Sequence, residues 1–139
     1  MTRKHVEERT LKYHQSGLCC TEAIIRSITE IYSEEPNNAI PKIGSGFCKG
    51  IGKTGEDICG TLVGGVMALG VLFGRMNKDG DNSQACEYSA EFRNRFIAKH
   101  GTTNCYEILN KFGEQEKMGK CKTMTADAAG MIADMLSGK

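Results

Sequence analysis

The sequence is poor in residues that interrupt helices, and it carries almost no net charge. It has two prolines and no tryptophan, and no alternating apolar and polar run is long enough to indicate a strand. Lysine and arginine total 18 against 17 aspartates and glutamates, for a net charge of +1. This balance gives no electrostatic reason to expect nucleic acid or an anionic membrane surface as a partner.

Long apolar segments are also lacking. The N-terminal stretch 1–15 is charged throughout and has no apolar centre of the kind found in a signal peptide. The longest apolar run, from Ile58 to Phe73, is shorter than the roughly 20 residues that span a bilayer. We therefore expect a cytoplasmic protein without membrane insertion, in which this run forms a buried core helix.

Apolar residues recur instead at helical spacing, which predicts an all-α protein. The expected helices cover about 2–15, a segment from Leu18 onward, a short piece ending near Phe47, and then about 57–73, 82–99, 104–112 and 120–137. Gly101 has the place of a helix C-cap. The 139 residues thus predict one domain, 1–139, a bundle of about five to seven helices with a glycine-rich loop, 49–56, before the central helix.

The stretch 46–60, GFCKGIGKTGEDICG, has letters of two nucleotide-binding motifs. Gly50, Gly52 and Gly55 have the spacing of a dinucleotide fingerprint, but that motif requires a preceding strand within a βαβ unit. A P-loop requires a glycine five positions before Gly52, where Phe47 stands. We expect no nucleotide site and interpret the glycines as shaping the backbone that leads to Cys59.

Seven cysteines are many for this length, and none of them has Cys-x-x-Cys spacing. Four of them fall in the first turn of separate predicted helices, on the apolar face: Cys20, Cys59, Cys105 and Cys121. Helix N-termini favour thiolate over thiol. Packing alone explains any single buried cysteine, but it has no preference for first turns. The pattern predicts that the four thiols converge on one partly buried site.

Two kinds of chemistry suit four such thiols. They are the usual ligand set of a metal ion or an iron–sulfur cluster, and alternatively two of them could cycle between dithiol and disulfide. Gly60, Gly64 and Gly65 allow a cofactor or a neighbouring helix to approach the backbone. We expect Cys19 and Cys86 to serve packing, and His14 and His100 to lie at the surface or be hydrogen-bonded.

At these cysteines the sequence resembles the C_GCAxxG_C_C family of redox-active proteins. The central family motif is similar to Cys59-Gly-Thr-Leu-Val-Gly64, with Thr61 in place of the motif alanine. The segments around Cys20, Cys105 and Cys121 resemble the remaining cysteine segments, so that the similarity covers roughly 13–137. The resemblance implies a redox role, and family members fused to cytochrome domains suggest an iron–sulfur cluster. Cys48 stands where glycine is commoner, as an additional thiol near Cys59.

These observations lead us to expect a redox-active protein, an electron carrier rather than a substrate-converting enzyme. We expect its ligand set to hold an iron–sulfur cluster for electron transfer or sensing: Cys20, Cys59, Cys105 and Cys121, with Cys48 as a further candidate. One alternative is a thiol–disulfide protein in which Cys59 is a low-pKa nucleophile that Cys48 or another thiol resolves. Another is a non-catalytic module that binds zinc. A redox partner is implied but not identified, and the glycine-lined helix is compatible with a homodimer.

Overall fold

The computed structural model describes residues 1–37 and 39–139, and within them the chain forms six α-helices and two 3-10 segments without a strand. The helices are α1 (Arg3–Gln15), α2 (Cys20–Tyr32), α3 (Gly60–Phe73), α4 (Ser83–His100), α5 (Cys105–Phe112) and α6 (Gly119–Leu136). The 3-10 segments are Ile40–Phe47 and Glu116–Met118. The prediction of an all-α bundle is confirmed.

Local signals mark the end of α4 and the start of α5, but not the start of α3. Gly101 ends α4 in a left-handed conformation with φ of 75°, as predicted. Asn104 caps α5 by accepting a hydrogen bond from the amide of Glu107 at 3.1 Å. Helix α3 begins at Gly60 rather than near Asp57, because the residues before it pair with a distant segment of the chain.

The core lies between α2, α3, α4 and α6. Its largest fully buried side chains include Phe92 and Phe96 of α4, Ile24 and Ile28 of α2, and Ile132 of α6. Burial of these aromatic and branched side chains removes apolar surface from water. This hydrophobic contribution is the largest one that stabilises such a bundle.

The glycines of α3 bring its neighbours close to its backbone. A Cβ atom at Gly64 would lie 2.8 Å from the carbonyl oxygen of Thr21, and one at Gly65 would lie 2.6 Å from Cζ of Phe92. These glycines are therefore occupied by contacts within the chain, and they give no argument for the homodimer considered above.

Ionic contacts fix α1 on α6. The guanidinium of Arg3 lies 2.6 Å from a carboxylate oxygen of Glu7, of Asp127 and of Asp134. Asp127 also accepts from Lys99 at 2.6 Å, which connects α4 to the same cluster. Helix α1 is thereby held so that its last turn, with His14, reaches the end of the bundle where the cysteines gather.

Among the helices described here, none combines the length and the apolar character that crossing a membrane requires.

Candidate functional site

Four helices start with a cysteine at the same end of the bundle. Cys20 is the first residue of α2, Cys59 caps α3, Cys105 is the first residue of α5, and Cys121 lies in the first turn of α6. All four line one pocket of about 480 Å³. The structure thus brings the four predicted residues together, while their role as ligands stays a prediction.

An antiparallel bridge positions Cys59 and Cys105 side by side. The amide of Cys59 donates to the carbonyl of Thr103 at 2.7 Å, and the amide of Cys105 donates to the carbonyl of Asp57 at 2.7 Å. These two hydrogen bonds flank a single antiparallel bridge of Ile58 with Asn104, which pairs the segment before α3 with the segment before α5. Two helix starts that are far apart in sequence are therefore fixed as one unit.

The side chain of Gln115 forms hydrogen bonds with both the backbone amide and the sulfur of Cys121. Its side-chain oxygen accepts from the Cys121 amide at 2.9 Å, and its side-chain nitrogen donates to the Cys121 sulfur at 3.3 Å. Burial raises the pKa of Cys121, and the second bond acts against this rise because it favours the thiolate. No local pattern in the sequence marks Gln115 as part of the site.

Thr61 connects the helices that carry Cys59 and Cys121. Its hydroxyl lies 2.8 Å from that of Thr125, which in turn donates to the carbonyl oxygen of Cys121 at 2.8 Å. Both threonines are fully buried. Threonine at the position of the motif alanine therefore adds a hydroxyl that links α3 to α6 across the site.

Replacing Thr61 with valine is expected to lower the free energy of unfolding by about 1 to 2 kcal/mol, because a buried hydroxyl on Thr125 loses its donor. Thr125→Val should cost a similar amount, and the double variant should cost clearly less than the sum. Urea unfolding of the three variants measures this coupling. The exposed Thr123→Ala serves as a control with an effect within about 0.5 kcal/mol, and strictly additive losses would contradict the link.

Burial dominates the acidity of the pocket thiols. It raises the pKa of Cys59 to about 12, although the backbone amides of Leu62 and Thr61 at the helix start favour the thiolate. Burial also raises the pKa of Cys105 and of Cys121, and the neighbouring Cys20 adds to the rise at all three sulfurs. The expectation that helix starts make Cys59 a low-pKa nucleophile is therefore wrong for the metal-free protein.

Lysines surround this pocket of thiols. Lys49, Lys117 and Lys122 line it together with apolar side chains such as Leu109 and Met124. The charge on Lys49 acts against burial by lowering the pKa of both Cys105 and Cys121. The pocket therefore combines an apolar wall with positive charges that can offset thiolates.

His14, which the sequence offered as a supplementary ligand but which we expected at the surface or hydrogen-bonded, lies at the pocket. It is 9% exposed, it lines the pocket, and its Nδ1 has no hydrogen-bond partner within the described part of the chain. Burial, together with the charge of Lys122, lowers its pKa to about 4. The expectation of a surface or hydrogen-bonded histidine is wrong, and a neutral imidazole faces the thiols. His100 is likewise half-buried, with Nε2 unpartnered among the described residues.

The pKa of His14 predicts a pH dependence of stability. Between about pH 6.5 and pH 4 the unfolded chain takes up a proton that the folded protein does not, so stability falls as the pH falls through this window. The expected loss is roughly 2 to 3 kcal/mol. Urea unfolding of metal-free protein at pH 7.5 and 4.5 should show this loss, and His14→Gln should remove most of it. His5→Gln, at an exposed position, should leave the loss intact. If His14→Gln lost as much unfolding free energy between pH 7.5 and 4.5 as the unaltered protein, the assignment to His14 would be contradicted.

The glycine-rich loop has a left-handed backbone. Gly50, Gly52 and Gly55 have φ of 71°, 61° and 69°, which glycine adopts without steric cost. Lys49, Ile51 and Lys53 share this conformation in spite of their side chains. Backbone hydrogen bonds close the loop, including that from the Lys53 amide to the Cys48 carbonyl at 2.8 Å. The loop thus presents Lys49 to the pocket, in line with the prediction that its glycines shape the approach to Cys59.

A disulfide joins two of the remaining cysteines. Cys19 and Cys48 are bonded, with Cα atoms 5.7 Å apart, whereas the packing role expected for Cys19 and the free thiol expected at Cys48 are not found. The pairing also removes Cys48 from the ligand set and from the role of resolving Cys59 in this state. Cys86 is exposed on α4, so the packing role expected for it is wrong too.

The cysteine pattern and the arrangement of these helix starts agree with one family. No curated protein and no solved structure matches the chain. Residues 18–135 match the family model described as "Putative redox-active protein (C_GCAxxG_C_C)", a span that contains Cys20, Cys59, Cys105 and Cys121. The chain belongs to the C_GCAxxG_C_C family of redox-active proteins.

Proposed function

We propose that Cys20, Cys59, Cys105 and Cys121 hold an iron–sulfur cluster that serves electron transfer or redox sensing. The observation that carries the proposal is that the four thiols line one pocket although they come from four separate helix starts. Four cysteine thiolates are the common ligand set of such clusters. A bound cluster would supply one-electron transfer.

The residues present fit such a group. Gly60 leaves room beside the Cys20 sulfur, because a Cβ atom there would lie 2.7 Å from that sulfur. The unpartnered Nδ1 of His14 leaves a buried polar atom beside the pocket. The lysines at its edge offset the negative charge that four thiolates would bring.

The spacing of the sulfurs favours a cluster over a single zinc ion. In a tetrahedral site with Zn–S bonds of about 2.3 Å, the sulfurs are about 3.8 Å apart. Among the described residues, the one group of three potential ligands within 4.8 Å of one another is Cys19, Glu22 and Cys48. Thus no three of the four pocket sulfurs lie within 4.8 Å of one another, and such a spacing suits a group with several metal atoms and inorganic sulfide between them.

The pKa values weigh against the thiol–disulfide alternative in which Cys59 is the nucleophile. Attack requires a thiolate, and burial raises the pKa of Cys59 to about 12. Metal binding differs, because the cation itself displaces the protons. The pocket is therefore better suited to ligation than to nucleophilic attack.

Purification without air, followed by a visible spectrum and analysis of iron, sulfide and zinc, tests the proposal. We expect a brown protein with iron and labile sulfide in equal amounts. Colourless protein with one zinc per chain would instead support the zinc module. Colourless protein that takes up neither iron nor sulfide on reconstitution, with its thiols fully reduced, would overturn the cluster proposal.

A further inference from the structure

The disulfide between Cys19 and Cys48 lies between two parts of the pocket. Cys19 precedes Cys20 directly and caps α2, while Cys48 directly precedes Lys49 in the left-handed loop. Because both Cys20 and Lys49 line the pocket, the bond ties one side of it to another. The two cysteines are 29 residues apart in sequence, so the disulfide is a long-range covalent link between these two segments.

The two sulfurs differ in accessibility. Cys19 is half-buried and lines the open pocket, whereas Cys48 is only 4% exposed and does not line it. Thiol–disulfide exchange depends on which sulfur an incoming thiolate can reach. The reachable sulfur is that of Cys19, and Cys48 is then the leaving group.

A carboxylate is fixed beside the leaving sulfur. Glu22 lies with Oε1 at 3.9 Å from the sulfur of Cys48, within reach of a hydrogen bond from a thiol. The same oxygen accepts from the amide of Cys19 at 2.9 Å, and Oε2 accepts from the hydroxyl of Ser45 at 2.7 Å. Glu22 is thus oriented by both chain segments that the disulfide connects, and it offers an acceptor to the Cys48 thiol once the bond opens.

We propose that Cys19 and Cys48 form a thiol–disulfide exchange site that reacts with thiol reductants and whose state controls the pocket of Cys20, Cys59, Cys105 and Cys121. A thiolate of the reductant attacks the Cys19 sulfur, forming a mixed disulfide and releasing Cys48. A second thiol, from the same dithiol or from another molecule of a monothiol such as glutathione, then attacks the reductant sulfur of the mixed disulfide and releases Cys19. Two electrons and two protons pass to the pair, and the reductant leaves as a disulfide.

Opening the bond frees the left-handed loop from α2. Lys49, Ile51 and Lys53 hold a conformation that is unfavourable for residues with side chains, and once Cys48 is released the loop with its internal hydrogen bonds is no longer tied to α2. The loop lies against Cys105, since a Cβ atom at Gly50 would be 2.8 Å from the Cys105 Cβ. The released loop can therefore move away from Cys105, whose thiol becomes more accessible. This inference concerns the metal-free chain and does not depend on what the pocket binds.

Metal-free, natively folded protein equilibrated with increasing ratios of reduced to oxidised dithiothreitol, and separately with excess reduced glutathione, tests the proposal. After alkylation, peptide mass analysis reads each cysteine. We expect glutathione to open at least half of the Cys19–Cys48 bonds while circular dichroism remains native, and the buried Cys105 to be alkylated at least tenfold faster once the pair is open. The exposed Cys86 should react at one rate throughout. A bond that resists glutathione in the folded protein, or an unchanged rate at Cys105, would overturn the proposal.

Two single variants locate the attacked sulfur. In Cys48→Ser, the remaining Cys19 should form a mixed disulfide with an aromatic disulfide reagent at least tenfold faster than Cys48 does in Cys19→Ser. Equal rates, or a faster reaction at Cys48, would contradict attack at Cys19. If either variant proves unfolded by circular dichroism, the titration of the unaltered chain still decides the proposal. Loss of the iron–sulfur proposal would leave these outcomes unchanged, since no measurement involves a bound cluster.

Discussion

Serine at position 59 is expected to abolish the retention of iron and sulfide, with iron per chain at least tenfold below that of the unaltered protein. Cys59 is 4% exposed and lies where the starts of α3 and α5 are paired. Its thiolate would therefore be a ligand with a fixed position that water does not reach. A serine oxygen is a harder ligand than a thiolate and binds the iron of such a cluster poorly. Iron and sulfide analysis of both proteins, purified without air, measures the loss.

The fold of Cys59→Ser should survive, which separates lost ligation from lost structure. Position 59 is the N-cap of α3, and serine is among the preferred residues there because its hydroxyl accepts from amides of the first turn. Cys86→Ser provides a matched control, since it also removes one thiol but at an exposed site on α4. Full iron content in Cys59→Ser, or equal losses in both variants, would contradict the assigned site.

Local signals made the helix starts predictable. Apolar spacing, which acts within a few positions of the chain, predicts Cys20, Cys105 and Cys121 in first turns, and at α5 the local cap Asn104 marks the start as well. Because each of these cysteines also lies on an apolar face, burying that face turns the thiols inward. The convergence of the four sulfurs thus follows from helix periodicity and from packing into one bundle.

The links between helix starts were not predictable, because each depends on residues far apart in sequence. The bridge of Ile58 with Asn104 requires α3 and α5 to begin at the same end of the bundle. Pairing of Cys19 with Cys48 requires the segment before the glycine loop to return to the start of α2. Neither contact leaves a periodic signal, and only the folded chain brings the partners together.

The acidity of Cys59 was also misjudged for a physical reason. The sequence indicated the helix start, whose amides lower the pKa. It did not indicate how deeply the sulfur is buried, and burial acts in the opposite direction with larger effect. A helix-start cysteine is therefore a nucleophile only where the tertiary structure leaves it partly exposed.

Gly60→Ala should destabilise the fold and disturb the site together, because Gly60 contacts both the start of α2 and the sulfur of Cys20. A Cβ atom there would collide with the hydroxyl of Thr21 and lie 2.7 Å from the Cys20 sulfur and 2.9 Å from the carbonyl oxygen of Phe47. Since one obstacle is backbone, the strain cannot be relieved by a side-chain rotation alone. We expect unfolding free energy to fall by roughly 2 to 3 kcal/mol, and iron content to fall with it as Cys20 moves away.

Gly70→Ala in the same helix is the matched control. Within the described residues, a Cβ atom at Gly70 would have no neighbour closer than 4 Å, so the helix should gain about 0.5 to 1 kcal/mol from the better helix former. Urea unfolding of the two variants, with iron analysis on each, compares the same substitution at a position with close neighbours and at one without them. A loss at both positions would indicate general intolerance of α3. Stabilisation at both would contradict the close contact of Gly60 with the start of α2, and with it the geometry that joins Cys20 to Cys59.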